Sequence, residues 1–144
     1  MTGLNSKWDA RFLELAQLVA SWSKDPSTKV GAVIVRPNRT VLSMGYNGFP
    51  RGVGDFVDRY ADREIKYQMV VHAEANAIVS AAESLLGMTM YGTLYPCCEC
   101  AKLIIQSGIQ TLVVPRAERL ERYAESMARS ERMFVESGVV VRQI

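Results

Sequence analysis

The stretch from His72 to Cys100 decides how the rest of the chain is read. It begins with His72-Ala73-Glu74 and ends with Pro96-Cys97-Cys98-Glu99-Cys100. The alanine-rich segment after His72 predicts a helix over residues 72–84, and the apolar run that follows predicts a strand over residues 88–94. Pro96 suits the first position of a helix, which predicts a second helix over residues 97–106. A helix, a strand and a helix in succession are typical of an α/β domain.

Three side chains in this stretch can bind one metal ion. His72, Cys97 and Cys100 offer an imidazole and two thiolates, which leaves one tetrahedral position for water, as in a catalytic zinc site. Zinc lowers the pKa of that water to about 7, so hydroxide becomes available at neutral pH. Glu74 is two residues from His72 and is not needed as a ligand. Its carboxylate is therefore placed to move protons.

The cysteines admit two other interpretations. A structural zinc site needs a fourth ligand, and the chain has one His and three Cys. We interpret Cys98 as a non-ligand, because Cys-x-x-Cys spacing chelates zinc through Cys97 and Cys100. A redox pair would leave His72 and Glu74 unexplained. Catalytic zinc is therefore the favoured interpretation.

Several motifs occur in the same order as in a known family. They are Ser23-Lys24-Asp25-Pro26, Val30-Gly31-Ala32, Gly45-Tyr46-Asn47-Gly48-Phe49-Pro50, His72-Ala73-Glu74-Ala75-Asn76-Ala77-Ile78 and Pro96-Cys97-Cys98-Glu99-Cys100-Ala101-Lys102. Together they resemble the zinc-dependent deoxycytidylate deaminases, over roughly residues 8–115. The resemblance implies hydrolysis of dCMP to dUMP and ammonia, with Glu74 as the proton carrier. It also implies a supply of dUMP for thymidylate synthesis.

The resemblance further implies how the nucleotide is held. Asn47 would hold the deoxyribose, and backbone groups near Ala73 and Cys97 would orient the pyrimidine. The residues assigned to the phosphate are Ser23, Lys24 and Thr28, with help from Arg119 or Tyr123. From the residues alone, the Ser23–Lys29 stretch fits an ordinary helix-to-strand connection as well as an anion-binding loop.

The stretch after Asn47 is predicted to bind an effector at Gly48, Arg51, Glu64 and Lys66. Glycine permits close approach of the backbone to phosphates, and Arg51 can grip them. In the resembled family dCTP activates, dTTP inhibits and the enzyme is a homohexamer. Mg²⁺ would accompany such a triphosphate. The alternative is a mobile surface loop with solvated charges.

Composition narrows the class of protein. The chain has 144 residues, 49% of them hydrophobic and 22% charged, which fits one globular domain over residues 1–144. A net charge of +2 is too small to indicate a polynucleotide-binding surface. The clustered cysteines do not form a disulfide framework. We expect a cytoplasmic protein, because the chain shows neither a signal-peptide pattern nor a membrane-spanning run.

Periodicity predicts the remaining elements. Trp8, Phe12, Leu15, Val19 and Trp22 form one face of an amphipathic helix. Residues 30–35 and 41–46 predict a hairpin, residues 110–114 and 139–141 two further strands, and residues 55–66 a short exposed helix. A helix over residues 117–136 has an inner stripe of Leu120, Tyr123, Met127 and Phe134. The predicted fold is a three-layer α/β/α domain of the cytidine-deaminase type, with a mixed sheet of about five strands.

Other functions remain open from the sequence. The substrate of a related deaminase could be cytidine, guanine, or a base in tRNA or single-stranded DNA. A polynucleotide deaminase should show a basic groove with stacking aromatics, whereas the basic residues here alternate with acids. A zinc scaffold without activity would have no use for Glu74. A deaminase of the riboflavin pathway normally has a different pattern around its cysteines.

Overall fold

The structure, a computed structural model, describes residues 3–117 and 121–144. Its helices are α1 (Gly3–Ala20), α2 (Val57–Ala61), α3 (Arg63–Met69), α4 (Ala73–Val79), α5 (Cys98–Gln106) and α6 (Glu121–Ser137). Its strands are β1 (Gly31–Val35), β2 (Val41–Tyr46), β3 (Thr89–Gly92), β4 (Thr111–Val114) and β5 (Val140–Gln143). They form one sheet in the order β2-β1-β3-β4-β5. The pairs β2–β1 and β1–β3 are antiparallel, and the pairs β3–β4 and β4–β5 are parallel.

Helices cover both faces of this sheet. On the face of α1, the core consists of Phe12, Ala16, Val19, Val33, Val35, Tyr91 and Val113. On the face of α4, α5 and α6, it includes Ile34, Ala77, Met90, Ile104, Leu112, Val114 and Phe134. The three-layer architecture with a mixed sheet of five strands is therefore confirmed. The two helices that follow the candidate metal ligands, α4 and α5, contact each other on one face of the sheet.

Helix α4 lies unusually close to β2. A Cβ atom on Gly45 would lie 2.5 Å from the Ala77 nitrogen and 2.7 Å from the Ala73 oxygen. Only glycine leaves room for the helix backbone at that position. The Ser43 hydroxyl also donates a hydrogen bond to the Ala77 carbonyl at 2.7 Å. The small residues of α4 thus allow this helix to pack closely against β2.

Two sequence-based expectations are wrong in detail. The helix predicted over residues 72–84 ends at Val79, because the chain then turns to bury Leu85, which is 5% exposed. Trp22, expected in the core, lies beyond the end of α1 and is 48% exposed, edge-on to Tyr46. Helix α1 stops at Ala20, so the apolar stripe does not extend another turn. The predicted stripe residue Leu120 lies outside the described residues.

Residues 48–71 form an excursion between β2 and α4. It contains α2 and α3, where the sequence predicted one short helix. Asp62 caps α3, because its carboxylate accepts hydrogen bonds from the N–H groups of Glu64 and Ile65. A backbone bridge between Gly48 and Val71 closes the excursion and returns the chain to His72. Within the described ranges, no helix has the length and apolar character needed to cross a membrane.

Candidate active site

The three predicted metal ligands meet where two helices begin. His72 directly precedes α4, Cys97 directly precedes α5, and Cys100 lies in the first turn of α5. The Nδ1 atom of His72 lies 3.5 Å from Cys97 Sγ and 3.3 Å from Cys100 Sγ. The ligand atoms of all three residues lie within 4.8 Å of one another. Cys98 is not part of this group, in line with its prediction as a non-ligand.

The spacing of these atoms fits zinc. Zinc holds imidazole nitrogen at about 2.0–2.1 Å and sulfur at about 2.3 Å, so tetrahedral ligands of these two kinds lie about 3.5 Å apart. The observed nitrogen–sulfur distances of 3.3 and 3.5 Å match that geometry. One nitrogen and two sulfurs also form the donor set of known catalytic zinc sites. The chain therefore presents a site suited to a single zinc ion.

The side chains of the two candidate thiol ligands are hydrogen-bonded to each other. A hydrogen bond from the Cys100 thiol, helped by one from His72, lowers the pKa of Cys97 to about 4, although burial opposes the shift. That same hydrogen bond, together with burial, raises the pKa of Cys100. A metal ion in place of the proton in this hydrogen bond favours the thiolate form at both positions.

Glu74 is buried beside the metal ligands. Glu74 is 5% exposed, and its side chain interacts with the Cys100 side chain. Burial raises the pKa of Glu74 because a carboxylate loses hydration there, although the interaction with His72 opposes the shift. A carboxyl group held beside the metal ligands is placed to accept a proton and to release it again.

A cavity of about 510 Å³ opens onto the metal ligands. This size lies in the range of roughly 300–1,000 Å³ typical of small-molecule sites. The candidate catalytic centre contributes His72, Ala73, Glu74 and Cys97 to its wall. Other parts of the chain contribute residues that include Thr28, Asn47, Lys66, Tyr95 and Tyr123. The cavity thus joins the metal ligands to the predicted substrate residues Asn47, Ala73, Thr28 and Tyr123.

Asn47 is held by the loop that joins α1 to β1. Its Oδ1 accepts the Val30 N–H at 2.8 Å, and its Nδ2 donates to the Thr28 carbonyl at 2.9 Å and to Asp25 Oδ2 at 3.4 Å. The Ser23 hydroxyl donates to the Asn47 carbonyl at 2.8 Å. These bonds fix the orientation of the Asn47 amide at the cavity wall.

Asp25 organises the same loop, although it is not among the site residues predicted from the sequence. Its carboxylate is 1% exposed and accepts hydrogen bonds from the N–H groups of Ser27 and Thr28 and from Lys66 Nζ. Burial raises the pKa of Asp25, but these bonds outweigh burial and hold it below its usual value. The Asp25-Pro26 pair after a predicted helix was a signal for such a turn, because Asp side chains bond the backbone of following residues.

The structure does not bring every predicted site residue to the cavity. The buried hydroxyl of Ser23 supports the loop instead. The Lys24 ammonium group points to Asp55, 3.1 Å away, and its side chain is 69% exposed. Arg119 lies outside the described residues. The other residues predicted to bind substrate or to act in catalysis line the cavity, with the exception of the candidate metal ligand Cys100.

Of the predicted effector residues, too, only some line the cavity. Lys66 lines the cavity, whereas Gly48, Arg51 and Glu64 do not. Gly48 pairs with Val71 through its backbone. Arg51 is exposed, with Nη2 3.5 Å from Ser80 Oγ, and Glu64 is exposed in the first turn of α3. The excursion therefore forms part of the cavity wall as well as an outer surface.

Several cavity residues were missed by sequence reasoning. They are Tyr60, Arg63, Tyr67 and Val70 of the excursion, and Ser126 and Met127 of α6. No spacing rule joins residues 60–70 to the metal ligands, because their proximity depends on the path of the excursion. The inner stripe of α6 did offer a signal, since Met127 belongs to it and Ser126 is adjacent.

Two serines of α6 flank the Cys97 ligand. Ser126 Oγ accepts the Cys98 N–H at 2.9 Å, and the buried Ser130 Oγ donates to the Pro96 carbonyl at 2.9 Å. The first of these bonds satisfies an N–H group that the start of α5 would otherwise leave unpaired. Helix α6 therefore positions the backbone on both sides of Cys97.

This fold and this set of metal ligands define a class of zinc-dependent deaminases. The family model described as the cytidine and deoxycytidylate deaminase zinc-binding region matches residues 6–115. The chain belongs to this family.

Two relatives with similar sequences are described as deaminases. A protein of Aliivibrio fischeri described as an uncharacterized deaminase in the luxG 3′ region is 48% identical over 138 residues, covering 94% of this chain and 92% of that protein. The human deoxycytidylate deaminase is 43% identical over 113 residues, covering 74% of this chain and 64% of the human protein. The chain thus matches less than two thirds of the length of that relative.

A solved structure shares the fold. The dCMP deaminase of the cyanophage S-TIM5, in complex with dCMP and dUMP, aligns with a TM-score of 0.74 at 26% identity. The alignment covers 96% of this chain and 97% of the cyanophage chain.

Proposed function

We propose that this protein hydrolyses dCMP to dUMP and ammonia. The observation that carries the proposal is the cavity itself, whose wall includes His72, Cys97, the buried Glu74 and Asn47. Its volume of about 510 Å³ suits a small molecule. Relatives described as deoxycytidylate deaminases support the same substrate. The product dUMP would supply thymidylate synthesis in the cytoplasm.

Metal binding and proton transfer are carried out by different residues of the site. His72, Cys97 and Cys100 would hold one zinc ion, which when bound makes water a nucleophile at neutral pH. Glu74 accepts the two protons of the attacking water in turn and delivers one to the ring nitrogen and the other to the amino group, which leaves as ammonia. Burial around Glu74 strengthens its electrostatic interactions.

The cavity wall would orient the nucleotide. Ala73 lines the cavity at the first position of α4, so the substrate base would meet its backbone there. The Asn47 amide, fixed by Val30 and Thr28, would hold the deoxyribose. Thr28 and Tyr123 would lie beside the rest of the nucleotide.

We extend the proposal to regulation and assembly. The excursion of residues 48–71 supplies cavity residues such as Lys66 and outer residues such as Arg51 and Glu64. A ligand on its outer side near Gly48 could therefore change the cavity through the same segment. We propose that dCTP, accompanied by Mg²⁺, activates a homohexamer of this chain and that dTTP inhibits it.

A substrate panel tests the assigned activity. Zinc-loaded protein is offered dCMP, CMP, deoxycytidine, dCTP and an oligonucleotide that contains cytosine, with the zinc content quantified. We expect kcat/KM for dCMP to exceed the other values. Cytidine, guanine and a tRNA substrate are added to the panel. If activity is greatest on one of these, dCMP is not the substrate. No activity on any of them, with zinc bound, would favour a scaffold.

A further inference from the structure

The cavity wall contains two long cationic side chains among the residues that the structure describes. They are Arg63 and Lys66, both on α3. A nucleotide phosphate needs positive charge that an internal carboxylate has not already neutralised. The partners of each cation therefore indicate which one is available to a ligand.

Lys66 is already paired inside the protein. Its Nζ lies 2.9 Å from Asp25 Oδ2 and 3.0 Å from Asp25 Oδ1, and it donates to Ser27 Oγ at 2.6 Å. The Lys66 side chain is 17% exposed and that of Asp25 is 1% exposed. Removing Lys66 from this pair would leave a buried carboxylate without its counter-charge. Lys66 thus supports the loop rather than offering an unpaired charge.

The lysines of the neighbouring loop are also engaged. Lys24 pairs with Asp55 at 3.1 Å and does not line the cavity. Lys29 Nζ donates to the Ser23 carbonyl at 2.6 Å. The cationic loop that sequence reasoning assigned to the phosphate therefore directs both lysines to protein acceptors.

Arg63 has no carboxylate partner among the described residues. Its guanidinium group lies over the ring of Tyr67, with the Cζ atom 6.0 Å from the ring centroid, and both residues line the cavity. Stacking on a ring leaves the N–H groups at the edge of the guanidinium plane available to an anion. These N–H groups can bind two phosphate oxygens at once.

We propose that Arg63 binds the 5′-phosphate of the nucleotide and selects nucleotides over nucleosides. This inference rests on the proposed function, and it assigns to Arg63 the role that the sequence suggested for Lys24. Arg63 is a binding residue here, so its loss acts on substrates and products that carry a phosphate.

Binding of the reaction product tests the assignment without turnover. Calorimetry compares dUMP and deoxyuridine on zinc-loaded wild-type protein, Arg63→Gln and Arg63→Lys. A hydrogen-bonded charge of this kind contributes about 10- to 100-fold in affinity. We expect Arg63→Gln to lower the affinity for dUMP by that factor and the affinity for deoxyuridine by less than about twofold. The dUMP affinity of Arg63→Lys should lie between those of Arg63→Gln and the wild type. Arg63→Gln should likewise lower kcat/KM for dCMP by that factor and kcat/KM for deoxycytidine by less than about twofold.

Arg59→Gln is the matched control. Arg59 lies on α2 of the same excursion and stacks on Phe56 with its Cζ atom 4.9 Å from the ring centroid, but it does not line the cavity. It should leave dUMP affinity unchanged. Thermal unfolding of each variant separates a local effect from a loss of folding.

Two results would overturn the assignment of Arg63. One is an unchanged dUMP affinity in Arg63→Gln, and the other is an equal loss for dUMP and deoxyuridine. If wild-type protein deaminates dCMP and either result is found, the proposed function stands and only Arg63 is wrong. If zinc-loaded wild-type protein neither deaminates dCMP nor binds dUMP, both proposals fail together.

Discussion

Glu74 shows how a single side chain acquires a chemical role from its surroundings. The residue is buried beside His72 and Cys100, and burial raises its pKa. An exposed glutamate would remain ionised near neutral pH and would be a poor proton donor. The same residue type in the cavity wall can take up a proton and return it.

Replacing Glu74 by Gln should remove this proton transfer and leave the shape of the site intact. We expect kcat to fall by about 10²- to 10⁴-fold, toward the larger value because one group serves several transfers. The measurement is steady-state turnover of dCMP, with zinc quantified in the same samples. Near-normal turnover with zinc bound would show that Glu74 is not the proton carrier.

The three cysteines should differ in their effect on zinc. Cys97 Sγ and Cys100 Sγ lie 3.5 and 3.3 Å from His72 Nδ1, whereas Cys98 is outside this group. Metal analysis of the wild type should approach one zinc per chain. Cys98→Ser should keep that content and Cys97→Ser should lower it. A wild-type value near two, or zinc loss in Cys98→Ser alone, would contradict the single site.

At the scale of elements, the α1–β1 loop and α3 are joined by one carboxylate. Asp25 accepts hydrogen bonds from Ser27, Thr28 and Lys66, and from Asn47. Burial raises the pKa of Asp25, but these bonds hold it lower than usual. Its ionised form therefore stabilises the fold above the ordinary carboxyl pKa, and this contribution is lost as the pH falls through the folded-state pKa.

Asp25→Asn should make this pH dependence visible. At pH 6 we expect the free energy of unfolding to fall by about 1–3 kcal/mol, because Lys66 loses its charged partner. The difference from the wild type should shrink as the pH falls below the ordinary carboxyl pKa of about 4, because the unfolded wild-type chain takes up the proton first, and it should vanish below the lower folded-state pKa. Chemical unfolding of both proteins across this range measures the difference.

The exposed Asp58→Asn on α2 provides a comparison of the same chemical change. It should alter stability by less than about 0.5 kcal/mol at either pH, as is usual for surface substitutions. A loss for Asp25→Asn that stays constant from pH 6 to pH 3 would mean that its charge does not stabilise the loop.

At the scale of the whole molecule, the excursion of residues 48–71 joins surface and cavity. Its ends are held together by the Gly48–Val71 bridge, directly before His72. Its inner side chains, including Tyr60 and Lys66, line the cavity. A ligand that binds two conformations of this segment with different affinity would change the population of each.

Regulation should therefore be visible in the saturation curve for dCMP. We expect dCTP to make the curve less sigmoidal and dTTP to oppose it, with a hexamer in light scattering. Arg51→Ala should blunt both effects, because Arg51 is exposed on the outer side of the excursion. Hyperbolic kinetics unaffected by either triphosphate, from a monomer, would refute regulation and leave the deaminase proposal intact.

The sequence by itself predicted the candidate metal ligands, Glu74 and, apart from the division of the excursion into α2 and α3, the order of helices and strands. His72 and Glu74 are two residues apart and Cys97 and Cys100 three apart, so their arrangement at helix starts follows from local geometry. Apolar periodicity likewise predicted the hairpin of β1 and β2, and β2 has the predicted bounds, Val41–Tyr46. These features depend on residues close together in the chain.

Only the tertiary structure decided what surrounds the metal ligands. Lys24 and Lys66 are both cationic, yet Asp55 holds the first outside the cavity and Asp25 holds the second at its wall. Arg63 reaches the cavity because the excursion folds back toward His72, and no periodicity in the sequence encodes that path. Contacts such as Lys24–Asp55 and Lys66–Asp25 join residues 31 and 41 positions apart. They depend on how the segments pack, which a local pattern cannot specify.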